Sequence, residues 1–175
     1  MDFPNLLFVY GTLRRGLGGT PRAALERHAR WEGRGRLAGR LFMAEGYPAA
    51  VAAPAGSQWV VGDLYRVWRP ASLFAVLDRY EDAHLRGPAD RPPDRATDRP
   101  PDRRTLGEYR RERHRIAAED GSRRLAWVYL YNRSVEGLTP IASGDFLHCD
   151  LPMQVKRIRD YSAPRASGAE GGGET

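Results

Sequence analysis

At 175 residues, with 41% hydrophobic and 29% charged side chains, the chain reads as one soluble globular domain, large enough to bury a core without disulfide staples. No apolar run approaches the ~20 residues that a membrane span requires. The net charge of +6 raises nucleic acid as a partner, yet no recognition helix, zinc finger or RNA-binding aromatic motif accompanies it. No specific nucleic-acid partner is therefore expected, and no membrane. A single cysteine, Cys149, excludes an intramolecular disulfide and fits a reducing compartment. Met1-Asp2-Phe3-Pro4 lacks the basic and long apolar regions of a secretory signal, so the expected location is cytoplasmic.

The first element is an apolar run from Leu6 to Tyr10, which reads as a buried strand, and a turn bounded by Gly11 and Gly16 follows at once. A helix is expected from Thr20 to about Arg30, with Thr20 as N-cap and Pro21 at its first position. Two readings of this strand–loop–helix stand side by side. One is a tight turn after a core strand; the other is a loop whose backbone N–H groups face an anion. Trp31 to Glu45 reads as strand, and its Gly33, Gly35 and Gly39 mark bulges or bends. Tyr47 to Val51 is a short extended piece, and Gln58 to Trp68 a strand apolar on both alternating faces, so cover on both sides is expected. Such curvature favours a small closed or half-closed barrel over a flat sheet.

Pro70 to Glu81 has the clearest helical period, with Leu73, Phe74, Leu77 and Tyr80 on its apolar face. Glu81 follows Leu77 by four and Phe74 by seven, which puts it on that same side. There, partial burial and the negative end of the helix dipole would both push the carboxyl pKa upward, as a general acid/base requires. The alternative is a helix-end glutamate reaching solvent beside Asp82. Residues 87–105 contain Asp90-Arg91-Pro92-Pro93-Asp94-Arg95 and its near copy Asp98-Arg99-Pro100-Pro101-Asp102-Arg103. Paired prolines and alternating charges cannot form a packed core, and the segment reads as an extended surface insertion. Tyr109 to Ala118 and Arg123 to Tyr131 form a hairpin about Asp120-Gly121, with Leu125, Trp127, Tyr129 and Tyr131 on one face of the second arm and Ala126, Val128 and Leu130 on the other. From about Ala163 the chain is a Gly-, Ser- and Glu-rich tail, leaving 1–162 as the domain.

Tyr10-Gly11-Thr12-Leu13-Arg14-Arg15-Gly16 resembles the opening signature of the gamma-glutamylcyclotransferase-like family, in particular its gamma-glutamylamine cyclotransferase-like branch. Gly62-Asp63-Leu64-Tyr65, Leu77-Asp78-Arg79-Tyr80-Glu81 and Tyr109-Arg110-Arg111 resemble later family features in the same order, and Ser143-Gly144-Asp145-Phe146 resembles a structural turn near the end of its members. The resemblance spans roughly residues 6–150, and the insertion departs from it. It implies an α+β fold, a small mixed β-barrel with a few flanking helices. It also implies a cofactor-independent cyclotransferase that releases 5-oxoproline and a free amine from a γ-glutamyl amine or conjugate. On that reading Glu81 is the general acid/base. The backbone N–H groups of Gly11, Thr12 and Leu13 hold the substrate carboxylate or the developing oxyanion, Tyr10 is a pocket wall, and Tyr109 lies near the site. Such a reaction needs no metal, and His28, His84, His114 and His148 show no ligand spacing. Other chemistries lack their motifs: Leu17-Gly18 stands where a P-loop has Lys-Ser/Thr, and no Gly-x-Ser-x-Gly elbow occurs. His148 and Cys149 are adjacent in sequence, but strand neighbours point to opposite faces. The rival class is a non-catalytic module that uses the same barrel to hold a small ligand or a protein. Neither the group attached to the glutamyl moiety nor the oligomeric state follows from the sequence.

Overall fold

The computed structural model describes residues 5–15, 20–54, 58–81 and 107–150. In chain order these form β1 (Leu6–Val9), α1 (Thr20–His28), β2 (Ala29–Ala44), β3 (Tyr47–Ala52), β4 (Trp59–Val67), α2 (Pro70–Tyr80), β5 (Tyr109–Ala118), β6 (Arg123–Tyr131), β7 (Thr139–Pro140) and a 3-10 turn (Phe146–His148). Strands β2, β4, β1, β6 and β5 pair in that order, and β5 returns to β2 through Gly35–Leu37, closing a five-stranded barrel. The β1–β6 pair is parallel and the other pairs are antiparallel, so the barrel is mixed. With two helices on its flank, this is the small α+β barrel expected from the glycine-broken strands.

The period of two explains where the core sits. Leu6 and Phe8 of β1, with Ala126, Val128 and Leu130 of β6, point into the barrel alongside Leu64, Ile116 and Phe146. Their alternates Leu7, Val9 and Tyr129 face outward and pack under the helices against Leu25, Leu73 and Leu77. Each β1 side chain is thus buried on one face or the other, as in a strand covered on both sides. β2 is the hub. Its first half pairs with β4, with a bulge between Trp31 and Gly33 (φ +135°), and its second half leaves the barrel to pair with β3 and β7. The extra residue sharpens the local twist and lets one long strand serve both sheets.

Several boundaries differ from expectation. α1 stops at His28 because Ala29 and Arg30 pair with Val67 and Arg66, and the His28 carbonyl accepts from the Trp68 N–H at 3.1 Å. Cover on both faces of the expected 58–68 strand holds in its middle but fails at the ends: Trp59, the first residue of β4, and Trp68, just past its last, are 39% and 54% exposed. The reason is length: β1 opposes only Asp63 to Arg66, so β4 overhangs it in both directions. β7 has a polar residue and a proline and carries no strand signal; it forms because Phe42 and Met43 lie opposite it. The 87–105 insertion, the tail from Ala163 and the domain limit at 162 lie outside the described residues. No helix among the described residues is long and apolar enough to cross a membrane.

An arginine-rich ion cluster joins three strands on the barrel exterior. The Glu32 carboxylate accepts from Arg66 at both oxygens and from Arg124 Nη1 at 3.0 Å. The hydrogen bond from Arg66 holds the Glu32 carboxyl below its usual value, and the charges of Arg66, Arg124 and Arg30 add to this against the opposing effect of burial. A depressed folded-state pKa contributes stability above the unfolded value near 4.5, and that contribution is lost as pH falls through the lower, folded value. The urea midpoint of the wild type is therefore expected to exceed that of Glu32→Gln at pH 7, with the gap closing as pH drops below about 4.5. A gap that stays constant between pH 7 and pH 3 would show that the carboxylate charge contributes nothing.

Candidate active site

β1 delivers its last residues to one end of the barrel. Tyr10 is buried, and its hydroxyl donates to the Tyr129 carbonyl at 2.6 Å, joining β1 to β6 beyond their ladder. The chain then turns, with the Arg14 N–H donating to the Gly11 carbonyl at 3.0 Å. At Gly11 a Cβ would lie 2.3 Å from Cγ of Pro48, so only glycine lets this turn pass so close to β3. Among the described residues, no hydrogen bond uses the backbone N–H of Thr12 or Leu13, the two residues at the centre of the turn.

α2 supplies the facing group. Leu73, Phe74, Leu77 and Tyr80 anchor its inner face, and Glu81 caps its C-terminus with its N–H on the Leu77 carbonyl at 2.8 Å. Glu81 is part-buried and borders the same pocket as Tyr10, Gly11, Thr12, Leu13 and Tyr109. The fold thus brings together all six residues singled out in the sequence, from three separate segments. The Tyr109 hydroxyl itself donates to the Pro48 carbonyl at 2.9 Å, tying β5 to β3.

The sequence reading missed Phe8, Val9, Tyr47, Pro48, Tyr80 and Tyr129, which complete the lining. Tyr80 stood in the helix's apolar period and Tyr129 in the aromatic face of β6, where pocket wall and core share one pattern. Across the pocket the Thr12 and Tyr80 hydroxyls meet at 3.0 Å. Behind it the Tyr129 hydroxyl donates to Asp78 Oδ1 at 2.6 Å, and Arg111 Nε lies 3.5 Å from that same oxygen. The Arg111 guanidinium stacks 3.9 Å over the Phe74 ring and 5.0 Å over that of Trp127.

Electrostatically, Glu81 sits among phenols. Burial pushes the Tyr10 hydroxyl up and the Glu81 charge adds to it, against a backbone hydrogen bond at Ala50. Tyr80 is raised by burial, opposed by its Thr12 hydrogen bond and reinforced by Glu81. Tyr109 is raised by burial, then by Tyr10 and Glu81, and Tyr129 by burial and by its bond to Asp78. All four remain neutral donors near neutral pH. Glu81 is the one carboxylate in the pocket lining among the described residues, and that lining holds no arginine, lysine or histidine. The site can therefore present a proton acceptor on one side and backbone donors on the other, in a largely aromatic shell.

A family model described as gamma-glutamyl cyclotransferase, AIG2-like, matches residues 7–148. The chain belongs to that family. The match contains nearly all the residues described above, including the whole pocket lining, and membership suggests a cyclotransferase-type activity on a small molecule. Among solved structures, an AIG2-like protein from Mus musculus is 24% identical over 81% of this chain and 88% of that one, with a TM-score of 0.55. YkqA from Bacillus subtilis is 21% identical, with a TM-score of 0.54 over 82% of this chain and 40% of its own. At such identities these two show the shared fold. No curated protein matches the sequence significantly.

His148 and Cys149 do not pair with each other. His148 ends the 3-10 turn and Cys149 caps it, neither lying on a strand; the Cys149 thiol donates to the Phe146 carbonyl at 3.1 Å, and His148 Nδ1 meets Asp145 Oδ2 at 3.0 Å. Among the described residues no group of three or more His, Cys, Asp or Glu comes together as a metal site.

Proposed function

We propose that this protein is a cyclotransferase that closes 5-oxoproline from a γ-glutamyl amine or conjugate without a cofactor. What carries the reading is one juxtaposition: Glu81 borders the same pocket as the Thr12 and Leu13 amides, which no hydrogen bond among the described residues uses. In the reaction the α-ammonium of the γ-glutamyl substrate loses a proton to Glu81. The freed amine attacks the γ-carbonyl carbon, forming the ring C–N bond. The amide C–N bond breaks as the proton on Glu81 passes to the departing amine. The ring nitrogen gives its second proton to the Glu81 carboxylate so freed, which leaves the neutral lactam and later releases that proton to solvent. One carboxyl group serves these transfers because they follow one another.

The backbone donors at Thr12 and Leu13 hold the substrate's α-carboxylate, and so fix the glutamyl chain in the folded form that ring closure needs. Orientation of this kind can supply several kcal/mol, on the order of 7–11 at its best. The aromatic shell of Tyr10, Tyr80, Tyr109 and Tyr129 excludes water, which strengthens the donors and limits hydrolysis. On this proposal residues 1–162 are one domain, interrupted at 87–105 by the Asp-Arg-Pro-Pro insertion, that works in the cytoplasm.

The test is an incubation of purified protein with a panel of γ-glutamyl peptides and γ-glutamyl amines, with 5-oxoproline and free amine quantified by mass spectrometry. Equimolar appearance of both is the expected result. Failure of every substrate to react, with ligands still raising the melting temperature, would overturn the enzyme reading in favour of a binding module.

A further inference from the structure

We propose that Arg14, which does not line the pocket, is a positioning residue that aims the Thr12–Leu13 amides by bolting their turn to two carboxylates on the barrel rim. The guanidinium is 2% exposed. Its Nε lies 3.5 Å from Asp63 Oδ2 on β4, and its Nη1 donates to Asp145 Oδ1 beyond β7. The following residue uses the same anchor, since the Arg15 N–H donates to Asp63 Oδ2 at 3.0 Å. Side chain and backbone therefore hold the C-terminal end of the turn, while the Arg14 N–H to Gly11 carbonyl bond closes it. A buried guanidinium with two carboxylate partners has one well-defined position, because leaving either partner would strand a charge out of water.

The carboxylates are themselves fixed without Arg14. Asp63 lies in the β1–β4 ladder opposite Val9. Asp145 caps the 3-10 turn by accepting from the Leu147 N–H at 3.0 Å, and the Gly144 carbonyl before it accepts from the Val61 N–H at 2.8 Å. Burial raises the Asp145 carboxyl, but the bonds from His148, Leu147 and Arg14, with the Arg14 charge, outweigh it and hold it below the usual range. With both carboxylates held by their own strand and 3-10 turn, Arg14 is a connector between them and the Gly11–Arg14 turn, and its loss leaves the barrel core in place. Its placement also explains three sequence features together: Arg14, Gly62-Asp63 and Ser143-Gly144-Asp145 converge on one ion cluster.

This inference rests on the cyclotransferase reading for its kinetic consequence. If the turn holds the substrate's α-carboxylate equally in ground and transition states, disordering it weakens binding more than turnover. Arg14→Lys keeps the charge but cannot span both carboxylates; it is expected to raise KM by about tenfold or more with kcat within about threefold. Asp145→Asn should act in the same direction and less. Native-state amide exchange supplies a readout apart from activity: exchange at positions 14 and 15, whose N–H groups bond to the Gly11 carbonyl and Asp63 Oδ2, should quicken by about tenfold in Arg14→Lys while β1, β4 and β6 are unchanged. Unaltered turn exchange and unaltered KM in a folded variant would overturn the proposal. So would a uniform rise in exchange across the barrel, which marks a merely structural role. If the wild type turns over no γ-glutamyl substrate, the cyclotransferase reading fails, and the exchange comparison alone decides for or against the bolt.

Discussion

Glu81→Gln is expected to lower kcat/KM for 5-oxoproline formation by about 10²–10⁴-fold, the usual contribution of a general acid/base, and to leave the melting temperature nearly unchanged. The substitution keeps the shape and one hydrogen-bonding oxygen of the side chain and removes its negative charge and its ability to carry a proton. Glu81 lies past the last helical turn of α2, outside the cluster formed by Leu73, Leu77 and Tyr129, so no core packing is lost. Stability should shift by less than about 0.5 kcal/mol, as for other substitutions away from the core. Glu81→Asp gives a second reading, because it retains the acid but withdraws it by one methylene. A displacement near 1 Å is enough to cost on the order of 10²-fold in rate. Both variants should still bind 5-oxoproline in calorimetry, since the opposing amides of Thr12 and Leu13 are untouched. A folded Glu81→Gln protein that retains wild-type turnover would remove Glu81 from the proton-transfer role while keeping the reaction.

Phe8→Ala should cost about 3–5 kcal/mol of folding stability, the range for emptying a buried aromatic site. Phe8 is 1% exposed and fills the barrel beside Leu64, Val128 and Phe146, so the surrounding strands cannot collapse into the space it leaves. It also borders the pocket, and pocket shape should deteriorate with it. The opposing position gives a check on the mechanism. A Cβ on Gly62 would come within 2.6 Å of Phe8 Cζ and 2.4 Å of the Val9 carbonyl oxygen. Gly62→Ala alone should cost about 1–3 kcal/mol by overpacking. In the Phe8→Ala background part of that cost should vanish, because the ring contact is gone while the backbone contact stays. Urea unfolding of the four proteins in a double-mutant cycle measures the coupling. Strictly additive losses would mean that the ring and the glycine do not constrain each other.

Much of the molecule was legible because its signals are local. The alternation in β5 and β6, the turn at Asp120-Gly121 and the apolar face of α2 each follow from side-chain period and backbone freedom within about a dozen residues. The two arms of that hairpin begin and end where the sequence placed them, at Tyr109–Ala118 and Arg123–Tyr131. The candidate pocket was legible mainly through motif resemblance, since Gly11 and Glu81 are seventy positions apart and nothing in either segment names the other.

Local pattern could not decide the rest. Thr20–Arg30 carried helical spacing, but pairing with β4 claimed its last two residues for β2. β7 exists only because a partner strand lies beside it. Tyr80 and Tyr129 carried the same apolar pattern as core residues, and only the closing of the barrel turned them to the pocket beside Glu81. Arg14 showed as one arginine among many in a basic chain, and its burial depends on two aspartates that lie 49 and 131 residues further along. Side-chain period and turn chemistry reside in neighbouring residues, so the sequence by itself determined every element, and its buried face, except β7 and the 3-10 turn. Register, closure and charge pairing depend on contacts between distant segments, and those only the tertiary structure decided.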